Sequence, residues 1–369
     1  MTDPAPLRAA RLDRLRRAMA DAGHEALVLT AAGAVRYATG VAPPHGDASA
    51  EAARPFAAVV RADRIALFGL DGAAPFPRDA TRAAGALADA VGDARRVGVD
   101  RLPFALGETL ARALPRAELV GAEASVLAAR AVKTADELAL LRAAQAANEA
   151  AVAEILPAIV PGVREIDLTG RFLAAMARRG VTACHVEPIW CVVPRSASDA
   201  PWTFPGGLPY RELTSERVLA AGDQVMIDTG MLHGGYMSDF GCTWTCGAAP
   251  DPGLRARWEG IVDAVLAECR PGRTGAALHA AALAANGSGR PAPWPVPLYL
   301  AHGIGIGGVE PPFIGTDLGR AAEESMVLVP GMVLVLEPYV WEAGAGGYRA
   351  EVMVAITDGG YERLSAPPP

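Results

Sequence analysis

The first 126 residues alternate amphipathic helix and short apolar strand. Apolar side chains recur at helical spacing in the opening segment and predict a helix that ends near Ala22. Four short apolar runs, bounded by turn residues, predict strands at residues 26–30, 56–61, 64–68 and 97–100. This alternation is typical of a small α/β domain, which we assign to residues 1–126.

A capping box predicts where the second domain begins its first helix. Thr134 is followed three residues later by Glu137, just before an apolar-periodic stretch that runs to about Glu154. Pro161-Gly162 then breaks the chain, and residues 165–179 have the spacing of another amphipathic helix. We expect both helices to cover one face of a sheet. The second domain is assigned to residues 127–369, and the predicted fold class is α+β.

Composition narrows the kinds of partner. A chain of 369 residues with 51% hydrophobic side chains can bury a large core, and its net charge of -7 disfavours nucleic acid as a ligand. No apolar run reaches the about 18 residues that a membrane span needs. The five cysteines form no C-x-x-C pair, which favours buried free thiols in a reducing cytoplasm. We therefore expect a soluble, cytoplasmic protein whose partner is a small molecule or peptide, without a membrane role. Lys133, the only lysine among many arginines, is interpreted as codon bias.

Two aspartates flank a glycine-rich hairpin. A short apolar strand ends at Asp228, Gly234-Gly235 forms a turn, and a return strand leads to Asp239. Paired strands bring such side chains within about 5 Å, and two carboxylates at that distance repel unless a cation lies between them. The alternative is that Asp228 caps a turn while Asp239 faces solvent.

Three further polar residues lie in apolar or glycine-rich surroundings. His302 precedes alternating glycines, which let the backbone approach a site while the imidazole supplies a nitrogen ligand. Glu337 ends an apolar strand that follows Pro330-Gly331, and Glu351 is predicted to lie within a strand. A charge inside an apolar strand is costly unless it is paired or binds a metal.

These motifs, in this order, resemble the pita-bread superfamily that includes creatinase, prolidase, aminopeptidase P and methionine aminopeptidase. The resemblance is carried by D-T-G at 228–230, G-Y-M-S-D at 235–239, H-G-I-G at 302–305, P-G-M-V-L-V-L-E-P at 330–338 and R-A-E at 349–351. Residues 8–40, with Tyr37-x-x-Gly40, are similar to the creatinase N-terminal domain. The resemblance implies a pita-bread catalytic domain preceded by a smaller creatinase-type α/β domain.

The same resemblance implies two divalent metal ions, with manganese, iron, cobalt or zinc all compatible with the ligand set. It assigns the metal ligands to Asp228, Asp239, His302, Glu337 and Glu351. Asp228 would be bidentate on one ion, and Asp239 and Glu351 would bridge. His302 and Glu337 are the implied catalytic residues, Glu337 as the proton relay, and a hydroxide between the ions would be the nucleophile. Family members commonly form homodimers through the N-terminal domain.

Two positions depart from the peptidase pattern H-G-I-G-x-x-x-H-E-x-P. Val309 stands at the second histidine of that motif, and Trp202 stands at an upstream auxiliary histidine. Loss of a positioned donor typically slows a reaction by about a hundredfold. We therefore predict a metallohydrolase that cleaves a peptide or small-amide C–N bond but is not an ordinary Xaa-Pro peptidase.

Four residues are predicted to contact substrate, namely Trp202, Tyr236, Val309 and Arg349. Trp202 is as compatible with packing under a loop, and Arg349 with an ion pair to a ligand carboxylate. His185 and His233 are interpreted as structural or solvated residues, with replacement of the lost proton shuttle as the alternative.

Two other functions remain open. Pro201-Trp202 and Thr243-Trp244 are similar to the dimethylsulfoniopropionate lyase branch, although that branch carries an aspartate where this chain has Gly308. A binding protein that has lost catalysis is the third possibility. The five intact ligands count against it, since buried acids are costly to retain without a metal.

Overall fold

The chain forms two compact units, Met1–Arg130 and Ala131–Pro369. The computed structural model describes residues 3–43, 55–70, 72–181, 183–184, 187–200, 202–204, 207–211, 213–296 and 298–369. Within these residues, no helix combines the length and the apolar character that crossing a membrane requires. The cysteines are free thiols, of which four are buried.

The first unit is built on a mixed five-stranded sheet. Its strands are β1 (Ala26–Leu29), β2 (Ala57–Arg61), β3 (Ile65–Phe68), β4 (Arg96–Val99) and β5 (Glu118–Gly121). Its helices are α1 (Ala5–Asp21), α2 (Ala32–Thr39), α3 (Ala80–Val91), α4 (Phe104–Ala113) and α5 (Glu123–Ala131). The strand order is β3-β2-β1-β4-β5, antiparallel at β1–β2 and parallel at β1–β4. The predicted first helix and four strands are confirmed to within two residues. The boundary predicted at 126/127 falls within α5 and stays a prediction.

The second unit has five more helices and thirteen more strands among the described residues. The helices are α6 (Ala135–Ile155), α7 (Glu165–Arg178), α8 (Pro252–Glu268), α9 (Gly275–Asn286) and α10 (Arg320–Ser325). The strands are β6 (Ala183–Cys184), β7 (Ile189–Val192), β8 (Trp202–Phe204), β9 (Leu208–Tyr210), β10 (Gln224–His233), β11 (Tyr236–Thr245), β12 (Ala301–Gly305), β13 (Gly308–Ile314), β14 (Val333–Leu336), β15 (Tyr339–Glu342), β16 (Gly346–Arg349), β17 (Val352–Thr357) and β18 (Gly360–Arg363).

Two sheets carry the site of this unit. In one, β10 pairs with β11, β6 and β7, and in the other the order is β13-β12-β14-β17-β18. Helix α6 begins at the predicted capping box, because Thr134 Oγ1 accepts from the Glu137 amide and Glu137 accepts from the Thr134 amide. This helix packs on β10 and β11, and α7 packs on α6 and β7, with one apolar core between helices and sheets.

Candidate metal centre

Asp228 and Asp239 meet on the β10–β11 hairpin. Asp228 pairs with Gly241, and Asp239 pairs with Gly230, so the two acids lie diagonally on one face of the hairpin. Glu351 joins them from the second sheet. Each of the three carboxylates offers an oxygen within 4.8 Å of the others, and all three side chains are buried. The convergence predicted for the two aspartates is therefore present, and the solvent-facing alternative for Asp239 is wrong.

Gly241 makes room for the third carboxylate. A Cβ atom at this position would lie 2.7 Å from Glu351 Oε1 and 3.0 Å from Arg349 Nη1. The Glu351 amide also donates to the Gly241 carbonyl at 2.9 Å. The prediction that Glu351 lies within a strand is wrong. Glu351 lies in the two-residue break between β16 and β17. The break falls where the chain changes partner, since β16 pairs with β15 and β17 pairs with β14.

His302 and Glu337 adjoin these carboxylates. His302 lies on β12, and Glu337 directly follows β14, which pairs with β12. The His302 Nδ1–H points to the Gly303 carbonyl at 2.9 Å, which leaves the Nε2 lone pair facing the acids. His302 Nε2 lies 3.2 Å from Asp239 Oδ2 and 3.4 Å from Glu337 Oε1. Lone pairs this close require a proton or a cation between them.

Arg349 is the built-in counter-charge of this cluster. Its guanidinium lies 3.0 Å from Asp228 Oδ2 and 2.8 Å from Glu351 Oε1, and it also contacts Glu337 Oε2. Of the two roles predicted for Arg349, the ion pair with ligand carboxylates is the one present. These acids, together with the histidine and the arginine that contact them, are called the carboxylate centre below. Its six residues are Asp228, Asp239, His302, Glu337, Arg349 and Glu351.

The carboxylate centre has more negative charge than its cations balance. Burial, together with the neighbouring aspartates, raises the pKa of Glu337 to about 7 despite Arg349. The same burial and the same aspartates raise the pKa of Glu351 well above its usual range. Burial lowers the pKa of His302, but Asp239 and Glu337 outweigh burial and raise it. Each of the three raised pKa values means that the centre binds a proton more readily than usual, as expected where negative charge is in excess.

The donor set fits divalent metal ions. Glu337 Oε1 and Glu351 Oε2 are buried and accept no hydrogen bond within the described part of the chain. An unsatisfied buried carboxylate oxygen is costly, and binding a metal removes that cost. Four carboxylates with one imidazole nitrogen suit hard or borderline divalent ions rather than thiolate-seeking ones. Among the described residues, the cluster of possible metal ligands contains no cysteine.

Helix α6 supports the two aspartate strands through buried polar contacts. Gln145 Oε1 accepts from the Asp239 amide at 3.1 Å, and Asn148 exchanges hydrogen bonds with Thr229. Tyr236 is fully buried, and its hydroxyl donates to Glu137 Oε1 at 2.9 Å. That hydroxyl is therefore committed to α6, which gives no support to the predicted substrate contact of Tyr236.

The other residues that the sequence singled out have no recorded contact with the carboxylate centre among the described residues. Val309 is half-buried on β13, opposite Ile304 of β12. Trp202 begins β8, but its side chain lies outside the described residues, as does His185. His233 ends β10 at the hairpin tip and is half-buried. Among the histidines that the structure describes, only His302 has a carboxylate of the centre within ion-pair distance.

Three features were missed by the sequence analysis. Gly241 is one. Tyr299 is the second, since its ring contacts that of His302 with centroids 4.7 Å apart. The third is a buried ion pair, in which Lys133 Nζ lies 2.6 Å from Glu310 Oε1. A lone lysine beside a capping box and an acid in an apolar strand were available signals for that pair.

Sequence comparison matches residues 139–358 to metallopeptidase family M24 and residues 11–132 to the Creatinase/Prolidase N-terminal domain. The uncharacterized peptidase YqhT of Bacillus subtilis is 29% identical over 259 residues, which are 68% of this chain and 67% of YqhT. The probable dipeptidase PepE of Mycobacterium tuberculosis is 31% identical over 235 residues, or 63% of this chain. That alignment spans 57% of the length of PepE.

Solved structures share the fold along the whole chain. Dipeptidase PepE from Mycobacterium ulcerans superposes with a TM-score of 0.77 and 25% identity, covering 100% of this chain and 98% of that one. An Xaa-Pro dipeptidase from Bacillus anthracis gives a TM-score of 0.73 at 24% identity, covering 98% and 99%. The predicted pita-bread and creatinase-type architecture is thereby confirmed. The chain belongs to metallopeptidase family M24, as a metal-dependent, peptidase-like hydrolase whose family uses two divalent metal ions.

Proposed function

We propose that this protein hydrolyses the C–N bond of a dipeptide or small amide at the carboxylate centre. Asp228, Asp239, His302, Glu337 and Glu351 would hold the two ions. The observation that carries this proposal is a cluster of four buried carboxylates, two of which lie within 3.4 Å of His302 Nε2, with two carboxylate oxygens that accept no hydrogen bond from the described residues. When bound, the ions lower the pKa of water and neutralise the charge that develops on the substrate carbonyl oxygen.

The chain's own groups divide the remaining work. Glu337 is suited to relay a proton as well as to hold an ion, because its carboxylate lies within the centre and its Oε1 accepts no hydrogen bond from the described residues. Arg349 holds the carboxylates of Asp228, Glu337 and Glu351 in one arrangement by ion pairs from a single planar group. The Gly303 carbonyl fixes the His302 ring so that Nε2 faces the centre.

Substrate choice is proposed to differ from that of ordinary Xaa-Pro peptidases. Val309 offers no hydrogen bond where the family peptidases carry a histidine, and the described histidines other than His302 have no ion-pair contact with the centre. Relatives are named dipeptidases and Xaa-Pro dipeptidases, which supports a dipeptide-sized substrate. We further propose that the protein is cytoplasmic and that it forms a homodimer through the first unit. Light scattering would test whether the protein is a dimer.

Metal analysis and product analysis test the proposal together. We expect purified protein to bind two transition-metal ions per chain, measured by mass spectrometry after manganese loading. Fewer than one ion, with none taken up on addition, would contradict the dinuclear centre. A panel of Xaa-Pro and other dipeptides, small cyclic amides and sulfonium compounds is then incubated in ¹⁸O-labelled water. Label in a carboxyl product supports hydrolysis, whereas unlabelled elimination products from a sulfonium compound would support the lyase alternative.

A further inference from the structure

Tyr299 is held against the carboxylate centre by two aromatic neighbours. It precedes His302 by three residues, and its ring meets the His302 ring edge-on. On another side it stacks on Phe313, with centroids 5.8 Å apart and planes at 28°. Phe313 is the strand partner of His302 across β12 and β13. Because a tyrosine ring has only two side-chain torsions, these contacts hold the phenol in one orientation.

The hydroxyl of Tyr299 is not used by the fold. Tyr37, Tyr236 and Tyr339 each donate to a carbonyl or carboxylate oxygen. Within the part of the chain that the structure describes, the Tyr299 hydroxyl makes no hydrogen bond. A polar group left free on an otherwise fixed side chain is available to a ligand.

The Tyr299 ring also lies beside the centre and is more exposed than the side chains of the centre. The Tyr299 ring packs against the imidazole that faces Asp239 and Glu337. Tyr299 is half-buried, whereas the side chains of the carboxylate centre are almost inaccessible. A ligand that reaches the His302 imidazole from the side of Tyr299 would therefore contact the phenol.

We propose that Tyr299 donates a hydrogen bond to the carbonyl oxygen of the bond being cleaved, supplying the contact that Val309 cannot make. This inference rests on the proposed hydrolase function. The hydroxyl keeps its proton throughout, and no covalent step involves it. The hydrogen bond strengthens as the carbonyl oxygen gains negative charge, so it stabilises the transition state more than the bound substrate.

Tyr299→Phe removes one oxygen atom and keeps both ring contacts. With the best dipeptide from the panel, we expect kcat to fall by about 100-fold while KM changes by less than about threefold. Calorimetry with a phosphinic dipeptide analogue, which mimics the tetrahedral intermediate, should give a Kd at least about tenfold weaker. Binding of the free amino acid products and the metal content should be unchanged. Tyr361→Phe, which removes a phenol oxygen from the exposed strand β18, is the matched control.

Three results would overturn the role of Tyr299. They are unchanged kcat and analogue affinity in Tyr299→Phe, an effect on KM alone, and loss of metal from that variant. The last would mean that Tyr299 only supports His302. A wild-type protein that binds two metal ions but hydrolyses nothing would instead overturn the proposed function. Analogue binding by wild-type and variant protein would then still decide whether the hydroxyl contacts a tetrahedral oxygen.

Discussion

Two buried acidic sites in the second unit differ in how far their negative charge is balanced. Glu165, at the start of α7, is fully buried, and each of its oxygens is satisfied. It accepts from the Val192 amide, from both terminal nitrogens of Arg211, and from the amide and hydroxyl of Ser215, at 2.6 to 2.9 Å. The carboxylate centre instead holds four acids, three of which form ion pairs with one arginine, and it leaves two oxygens without a hydrogen bond from the described residues.

The difference separates a structural ion pair from a functional one. Around Glu165, one negative charge meets one positive charge with complete hydrogen bonding, which fixes a helix start to a loop. In the carboxylate centre, burial and the excess of negative charge raise the pKa of two glutamates, and a bound metal ion would neutralise that excess. Charge balance, rather than burial alone, distinguishes the two clusters.

The largest expected effect is on catalysis. Glu351→Gln removes a carboxylate shared by the aspartates and Arg349, so we expect loss of at least one metal ion. Hydrolysis should fall by roughly 1000-fold or more. Metal content by mass spectrometry and turnover of the best dipeptide measure the two effects. Glu324→Gln, at an exposed ion pair with Arg320, is the control and should change neither. Full metal content and activity in Glu351→Gln would remove this residue from the ligand set.

The next effect should appear in stability and in the other cluster. Glu165→Gln leaves the half-buried Arg211 without its charge partner, and breaking a fully buried pair typically costs about 3–5 kcal/mol, which is the upper value expected here. Urea unfolding of the metal-free protein measures this change. In the same assay Glu351→Gln should cost far less, because it relieves an excess of negative charge. Equal losses in the two variants would contradict the distinction between balanced and unbalanced clusters.

A pH dependence should distinguish the carboxylate centre in the absence of metal. The Glu337 carboxyl has a folded pKa of about 7 against an ordinary value of 4.5, so between these values the folded chain binds more protons than the unfolded chain. The stability it contributes is therefore lost as pH rises from about 4.5 to 7, by on the order of 2–3 kcal/mol. Thermal unfolding of chelator-treated protein should show this decline. Glu337→Gln should make the decline less steep without abolishing it, because the pKa of Glu351 is also raised; a profile in that variant as steep as in the wild type would assign the decline elsewhere.

The smallest expected effect concerns position 309, where this chain has valine in place of the second histidine of the family peptidases. Val309→His restores a donor at the position where the family peptidases have one, and we expect weak Xaa-Pro hydrolysis to rise by about tenfold. Val309→Leu is the control for side-chain size. No gain with histidine would indicate that the pocket is shaped for another substrate, with Tyr299 already serving the carbonyl oxygen.

The sequence predicted the features that depend on local pattern. The capping box at Thr134 and the strands of the first unit follow from periodicity and turn residues within a few positions. The order of acids and histidine, with its family resemblance, named five of the six residues that the structure brings together in the carboxylate centre; their role as metal ligands stays a prediction. The sixth, Arg349, was named with its two possible roles, and only the packing of β16 against the hairpin decided between them.

Features that depend on long-range packing were not predicted. Tyr299 reaches His302 and Phe313 only because β12 and β13 pair in one particular register. Lys133 and Glu310 are 177 positions apart, so no local pattern joins them. The interpretation of the sole lysine as codon bias therefore overlooked a buried ion pair in which both side chains are 1% exposed.

Gly241 has a consequence for reading related sequences. Glycine and alanine codons differ by one base, and the added methyl group would occupy the space that Glu351 Oε1 now fills. A single point mutation could thus disable the enzyme while every ligand stayed in place. Such a descendant would still carry the four acids and the histidine in order and would pass as active in any comparison of ligands alone. In this fold, an inherited loss of activity can therefore result from replacing a glycine that is itself no ligand.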